Sequence, residues 1–257
     1  MLRWVAEHYF TGQGAICELG TFVGGSTARL AYGLTKNRTA TTKIQCFDRY
    51  ECAERHKQQL LYDHGIAAFT GEDILPLARD LLAEFTGLVE FHKCDILDTR
   101  WDGGAIEILF IDIAKTRKTN DHVLETFFSS LIEGESLVIQ QDYFHHSNPW
   151  VVAQLESLKD CFELVAFTQN NSAIFRYKHA PSTAQLEKAK TAEMTDKELI
   201  THLYSAMARF PLYRHKQHLA RSILTVRKNP GVLSSWEYGE TQFSFEELDS
   251  AIEKQFP

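Results

Sequence analysis

Short apolar runs rich in Ile, Val, Leu and Phe recur along the chain, at AICELG, KIQCFD, LVEFHK, IEILFID, ESLVIQQD, FELVAF and SAIFRY. Each is too short for a helix and is bounded by polar residues or glycine, so each predicts a strand. Between the first six, apolar positions fall at helical spacing over Ser26 to Leu34, Glu51 to Tyr62, Ile74 to Phe85, His122 to Ile132 and Trp150 to Lys159. Strands alternating with helices imply parallel pairing, because only a crossover reaches a parallel neighbour, and near-continuous apolar strands imply a sheet covered on both faces. The expectation is an α/β fold with a doubly wound, mostly parallel sheet. FELVAF and SAIFRY are separated by TQNN alone, a hairpin-sized link, so the sheet should end in an antiparallel pair.

From about Pro181 the pattern changes to helices over Gln185 to Ala192, Asp196 to Arg209 and Tyr213 to Arg227, then a loop, NPGVLSSWEYGE, and a last helix from Phe245. Two parts are expected: a sheet domain over 1–180 and a helical appendage over 181–257 that packs on it, caps the site or pairs two subunits. At 257 residues, 44% hydrophobic and 24% charged, the chain has an ordinary soluble composition with ample residues for one core. Its net charge of −7 argues against a nucleic-acid partner, since phosphate binding rests on Lys and Arg. Five cysteines, odd in number and with no CxxC pair, read as buried thiols of a reducing compartment. The first residues lack the continuous apolar core of a signal peptide, and no run approaches the roughly 18 apolar residues of a membrane span. A cytoplasmic protein without membrane partners is therefore expected.

Candidate chemistry begins in ICELGTFVGGST, an apolar strand running into Glu18, then Gly20, Gly24 and Gly25, then a helix start at Ser26. Glycine lets backbone approach a ligand and tolerates positive φ, and a helix start offers unpaired N–H groups. The spacing is neither the G-x-G-x-x-G of dinucleotide binders nor a P-loop, which disfavours a phosphate-bearing cofactor. Asp48 closes the second strand, where a carboxylate can accept both hydroxyls of a ribose. Asp95 follows the third strand and can accept from an adenine amine. Ligands of open α/β sheets bind along this carboxyl edge. Taken singly, each acid also reads as a loop or cap residue; three at consecutive strand ends indicate a nucleoside.

ELGTFVGGST, Asp48 and CDILD together resemble the successive cofactor motifs of the class I S-adenosylmethionine-dependent methyltransferases, over about residues 1–178. The resemblance implies that the Gly20 to Gly25 loop, with Glu18, Thr21, Gly24 and Ser26, holds the methionine part of the cofactor. It implies ribose at Asp48, adenine at Asp95 with Ile96, and a seven-stranded sheet whose last hairpin is antiparallel.

On the acceptor side, LFIDIAK and LVIQQDYFHH place Asp112 and Asp142 at adjacent strand ends if the family's strand order holds. Two carboxylates there can share Mg²⁺, which would lower the pKa of a bound hydroxyl, and Lys115 can take the proton if metal and burial depress its own pKa. This pattern resembles the site of catechol O-methyltransferase and of macrocin O-methyltransferase-like enzymes, which modify sugar hydroxyls of natural products. Tyr143 stands where the catechol enzymes carry an amide ligand, leaving Gln141, His145 or His146 as substitutes. In the metal-free alternative Asp112 orients the sulfonium end of the cofactor, Asp142 caps a helix and Lys115 is solvated. His145 and His146 are further candidate bases. Tyr143, Phe144 and Trp150 either line an acceptor pocket or pack. Arg209, Arg214, His215, Lys216, His218 and Arg221 either meet an anionic acceptor or form a solvated helix face. The expected activity is methyl transfer to a hydroxyl of a small molecule. Its rivals are a non-catalytic nucleoside-binding module acting through the appendage and a nicotinamide-dependent oxidoreductase, against which the glycine spacing counts.

Overall fold

The computed structural model of the chain describes residues 1–38, 42–169 and 171–254. The fold is the expected doubly wound α/β type, a mostly parallel seven-stranded sheet in the order β3-β2-β1-β4-β5-β7-β6. The chain divides into two compact units, Met1–Gly104 and Ala105–Pro257.

In the first unit, β1 (Ala15–Leu19), β2 (Ile44–Asp48) and β3 (Val89–Lys93) pair in parallel, with Leu19 beside Phe47 and Asp48 beside Lys93. The N-terminal segment is α1 (Leu2–Trp4) continued by a π-turn over Val5–Tyr9. α2 (Gly25–Leu34) follows β1, and α3 (Glu54–Leu60) and α4 (Leu75–Leu81) connect β2 to β3. α3 is shorter than its apolar spacing predicts. Its Lys57 is buried, and the ammonium donates to the Phe69 and Gly71 carbonyls at 3.1 and 2.6 Å, so a charged side chain organises the loop that follows. α4 carries Pro76 in its first turn, where the missing N–H costs nothing, and gives way to a 3₁₀ stretch over Ala83–Leu88.

In the second unit, β4 (Ile106–Ile111) and β5 (Leu137–Gln140) are parallel, and β7 (Ala173–Tyr177) lies antiparallel between β5 and β6 (Phe162–Phe167). The link between β6 and β7 is the predicted hairpin, of which Asn170 lies outside the described residues. All six residues of β4 are buried, as a strand covered on both faces requires. α5 (Arg117–Phe127) starts before the apolar pattern predicts, because its first turn is buried through polar contacts. The Thr116 hydroxyl caps it by accepting from Thr119 N–H at 2.9 Å, and Arg117 donates to the Met194 carbonyl at 2.6 Å and pairs with Asp196 at 3.2 Å. α6 (Pro149–Ser157) follows β5.

The remaining helices, α7 (Thr183–Ala189), α8 (Asp196–Ala208), α9 (Tyr213–Lys228) and α10 (Phe245–Glu253), belong to this same compact unit. Capping boxes at Ser182/Gln185, Thr195/Glu198 and Ser244/Glu247 start three of them. Two buried acids of the sheet-covering helices tie them down. Asp121 on α5 accepts from the Thr191 and Ala192 N–H groups at 2.7 and 2.8 Å and from the Thr191 hydroxyl at 2.8 Å. Glu156 on α6 pairs with Arg209 at 3.0 Å and accepts from the Ser205 hydroxyl at 2.6 Å. Among the described residues no helix is long and apolar enough to cross a membrane. All five cysteines are thiols, and four are buried.

Asp121→Ala should strand several buried donors at once and lower stability by about 2–4 kcal/mol, read as a shift in the urea midpoint. A change under about 0.5 kcal/mol, the scale of an ordinary surface substitution, would show that the α7–α8 link is held by apolar packing instead.

Candidate functional site

In the first unit the turn after β1 is organised from below. Glu18 is fully buried and accepts from the Ser26 and Thr27 hydroxyls, from Thr21 Oγ1 at 3.4 Å and from the Cys46 thiol at 3.4 Å. Burial, and after it the Glu18 charge and contact, push the Cys46 thiol pKa up. Glu18, Thr21 and Ser26 thus act on the shape of the turn, joining the end of β1 to the first turn of α2.

Gly20 and Gly24 both adopt positive φ, 95° and 90°. Gly20 N–H donates to the Phe47 carbonyl at 2.9 Å, and Gly24 N–H closes a turn onto Thr21 O at 2.9 Å. A Cβ at Gly24 would lie 2.9 Å from Leu82 Cγ, so this glycine is demanded by backbone conformation and packing. Sequence reasoning assigns its lost Cβ to a ligand's approach; the structure assigns it to Leu82. Gly24, as N-cap of α2, offers no side chain to the first N–H groups of the helix.

Asp48 is the hinge of this half. Its Oδ2 accepts from Phe22 N–H at 2.8 Å and its Oδ1 from Tyr50 N–H at 2.6 Å, so one carboxylate ties the glycine-rich turn to the end of β2. Phe22 and Tyr50 each hold φ of 52°, and they are the only non-glycine residues at positive φ among those described. Such strain in bulky residues collects where a site is pre-shaped. Nothing in the sequence marks these two positions. Cys94 N–H donates to the Asp48 carbonyl at 2.9 Å, which brings the end of β3 alongside. Asp95 there accepts from Leu97 N–H at 3.0 Å and caps the 3₁₀ turn Ile96–Asp98, while its Oδ2 faces Arg49 Nη1 at 4.0 Å. Ile96 is buried. Gly20, Asp48 and Asp95 therefore stand side by side at three neighbouring strand ends.

In the second unit, Gln141 N–H donates to the Ile111 carbonyl at 3.0 Å, so Asp112 and Asp142 follow from adjacent strand ends. Lys115 lies between them. Its ammonium donates to Asp112 Oδ1 at 2.9 Å and to Asp142 Oδ2, which also accepts from Asn148 Nδ2 at 3.0 Å. Burial alone would push the Lys115 pKa down, but the Asp112 and Asp142 charges and hydrogen bonds outweigh it and the pKa is raised. The depressed pKa that a lysine base needs is not met; Lys115 is a charged hydrogen-bond donor at neutral pH.

The loop expected after α9 holds the backbone around this lysine. Ser235 N–H donates to the Lys115 carbonyl at 2.8 Å, Arg117 N–H to the Leu233 carbonyl at 3.0 Å, and Trp150 Nε1 to the Ala114 carbonyl at 2.7 Å. Trp150 in turn stacks with Tyr238 at 6.3 Å. Tyr143, Phe144 and Trp150 are all buried, which makes them packing residues.

His145 and His146 stack at 4.7 Å and are both half-buried. Burial lowers the His145 pKa further than the nearby Asp142 raises it, and burial with His145, Arg221 and His218 lowers His146 to about 4. Both rings are therefore neutral at pH 7. Ser147 N–H donates to His145 Nδ1 at 3.3 Å, which assigns the neutral ring's proton to Nε2.

Among the described residues no three His, Cys, Asp or Glu side chains are gathered to hold a metal. Gln141 Oε1 already accepts from the Ser172 hydroxyl at 2.9 Å. Asn148 Oδ1, which the sequence did not single out, is buried and has no partner.

Residues 17–143 match the family described as Methyltransferase domain. The chain is similar to the structure of the O-methyltransferase NovP, with 16% identity and a TM-score of 0.53 over 69% of this chain and 78% of that one. It is also similar to the apo structure of CalS11, a TDP-rhamnose 3'-O-methyltransferase in calicheamicin biosynthesis, with 16% identity and a TM-score of 0.50 over the same shares. At that identity both likenesses speak to the fold. No curated protein matches the chain.

Two measurements follow from this geometry. Gly24→Ala should cost about 2–4 kcal/mol, combining positive-φ strain with overpacking, and adding Leu82→Ala should relieve less than all of that cost, because the φ penalty stays. Full recovery in the double variant would mean that only the clash mattered. His146 titrates from about 4 in the fold against 6.5 unfolded, so between those pH values the unfolded chain binds the extra proton and stability falls as pH drops. His146→Gln should flatten the urea midpoint across that window; a profile parallel to the parent's would show that the ring is not held neutral.

Proposed function

From the premise that residues 17–143 match the family described as Methyltransferase domain, we propose that this chain is a class I S-adenosylmethionine-dependent methyltransferase and that it methylates a hydroxyl oxygen of a small molecule of sugar or natural-product type. The single observation that carries the acceptor half is the Lys115 ammonium held between Asp112 and Asp142 beside a neutral His145.

On the donor side, each Asp48 oxygen accepts one backbone N–H and keeps lone-pair capacity for a ribose hydroxyl. Gly20 to Gly25 would receive the methionine end, and Asp95 with Ile96 the adenine. The bound cofactor supplies an electrophilic methyl group on a sulfonium, already activated, so the residues contribute mainly position and electrostatics. On the acceptor side, Lys115 donates to the acceptor oxygen and stabilises the charge that grows there. Asp112 and Asp142 keep it protonated and aimed. His145 takes the hydroxyl proton, giving up one long hydrogen bond from Ser147 at a cost of about 1 kcal/mol.

A second reading rests on the orphaned Asn148 oxygen. With its amide turned over, so that Oδ1 replaces Nδ2 opposite Asp142, Asn148 would add a third oxygen donor to Asp112 and Asp142, of the kind Mg²⁺ takes, and the Lys115 ammonium already marks a cation position between the two acids. These three residues would hold a divalent ion, which would acidify the acceptor hydroxyl.

Calorimetry with S-adenosylmethionine and S-adenosylhomocysteine tests the donor half. Binding is expected, weakened roughly tenfold or more by Asp48→Ala through the loss of charge-assisted bonds; absence of heat at high micromolar ligand would refute the reading. S-adenosylhomocysteine release over a panel of hydroxylated glycosides and phenols tests the acceptor half. Lys115→Met should lower kcat by about a hundredfold or more, and the parent's acid limb should lie below an ordinary histidine's. If EDTA treatment abolishes turnover and Mg²⁺ restores it, the second reading is the correct one; unchanged turnover rejects it.

A further inference from the structure

The loop after β5 runs from the candidate acceptor residues onto α9, and the groups that meet there are nearly all basic. Phe144 packs on His215 at 4.6 Å and on His218 at 6.3 Å between ring centroids, which seats the loop against the first half of α9. Arg214, His218 and Arg221 stand at i, i+4 and i+7 of that helix, so they share one face. His146 joins them from the loop, stacked on His145, whose ring feels both Asp142 and Lys115.

No carboxylate among the described residues forms an ion pair with Arg214 or Arg221, whereas Arg117, Arg176 and Arg209 of the same unit are paired with Asp196, Glu163 and Glu156. The charges acting on His146 come from His145, Arg221 and His218, and those on His218 from Arg214, His215 and Arg221. All are basic. His218 Nε2 is buried and has no hydrogen-bond partner. A site that gathers basic groups, pairs neither of its two arginines with a carboxylate and leaves a ring nitrogen without a hydrogen-bond partner lacks the group that would satisfy them. Two guanidinium forks with two imidazoles suit a doubly charged oxyanion better than a single carboxylate.

We infer that His146, Arg214, His218 and Arg221 form a phosphate-binding subsite that anchors a phosphorylated acceptor beside Lys115 and His145. This deepens the methyltransferase reading and rests on it for the word acceptor; the anion site itself stands on its own contacts.

The test is histidine C2–H NMR on the full chain without S-adenosylmethionine, titrated with sodium pyrophosphate and, at matched ionic strength, with sodium acetate. The His146 and His218 resonances should move saturably with pyrophosphate only, and the His146 pKa should rise from about 4 because a bound anion favours the charged ring. Arg214→Gln with Arg221→Gln, both at positions outside the core, should weaken that binding by about tenfold or more while the remaining spectrum is kept. Absent shifts, equal shifts with acetate, or unchanged binding in the double variant overturn the subsite and leave the methyltransferase reading standing. Saturable pyrophosphate binding in a chain that gives no heat with S-adenosylmethionine upholds the subsite and fails that reading instead.

Discussion

A carboxylate with no exposed surface at the end of β1 is the constraint on which the glycine-rich turn is built. Glu18 sits where an unsolvated charge would be costly, and hydroxyls of Thr21, Ser26 and Thr27 surround it with hydrogen bonds. Satisfying that charge fixes how the chain leaves the strand and where α2 begins. Gly20 and Gly24 then take up the conformations that such an abrupt exit requires, and Asp48 pulls Phe22 onto the end of β2. Three elements hold the turn through polar contacts. Its glycines make the shape allowable, and the two acids make it the one adopted.

The charged centre of the second unit is built on a different balance. Asp112 and Asp142 would repel each other at adjacent strand ends, and the Lys115 ammonium offsets that repulsion while being kept charged by it. Ser235 and Leu233, from the loop after α9, bond the Lys115 carbonyl and the Arg117 N–H that follow the lysine side chain, and Trp150 bonds the Ala114 carbonyl before it. The helices past residue 181 therefore contribute to the position of the charged centre, and Asp121, Glu156 and Arg117 anchor them through buried polar contacts. Buried polar groups of this kind specify one arrangement because each has few alternative partners.

Strand positions, the parallel-to-antiparallel change and the carboxyl-edge acids were legible because strand burial repeats with period two or as continuous apolar runs, which a one-dimensional reading registers. α5 was mislocated at its start for the complementary reason: Arg117 is buried by hydrogen bonds, and hydropathy counts an arginine as exposed. Lys57 is the same case in α3. The strained φ of Phe22 and Tyr50 and the placement of Asn148 against Asp142 had no sequence signal, since each arises from residues brought together across the fold.

By itself the sequence determined the alternation of strand and helix, the antiparallel last hairpin, the glycine-rich turn, and the acids at successive strand ends. These are local: they follow from the periodicity of burial and from the few residues that tolerate a tight turn. Only the tertiary structure decided that Lys115 is a charged donor and no base, that Tyr143, Phe144 and Trp150 belong to the core, and that His146 faces Arg221 and His218. Protonation state and burial depend on which charges and surfaces surround a group, and residues far apart in the chain supply them.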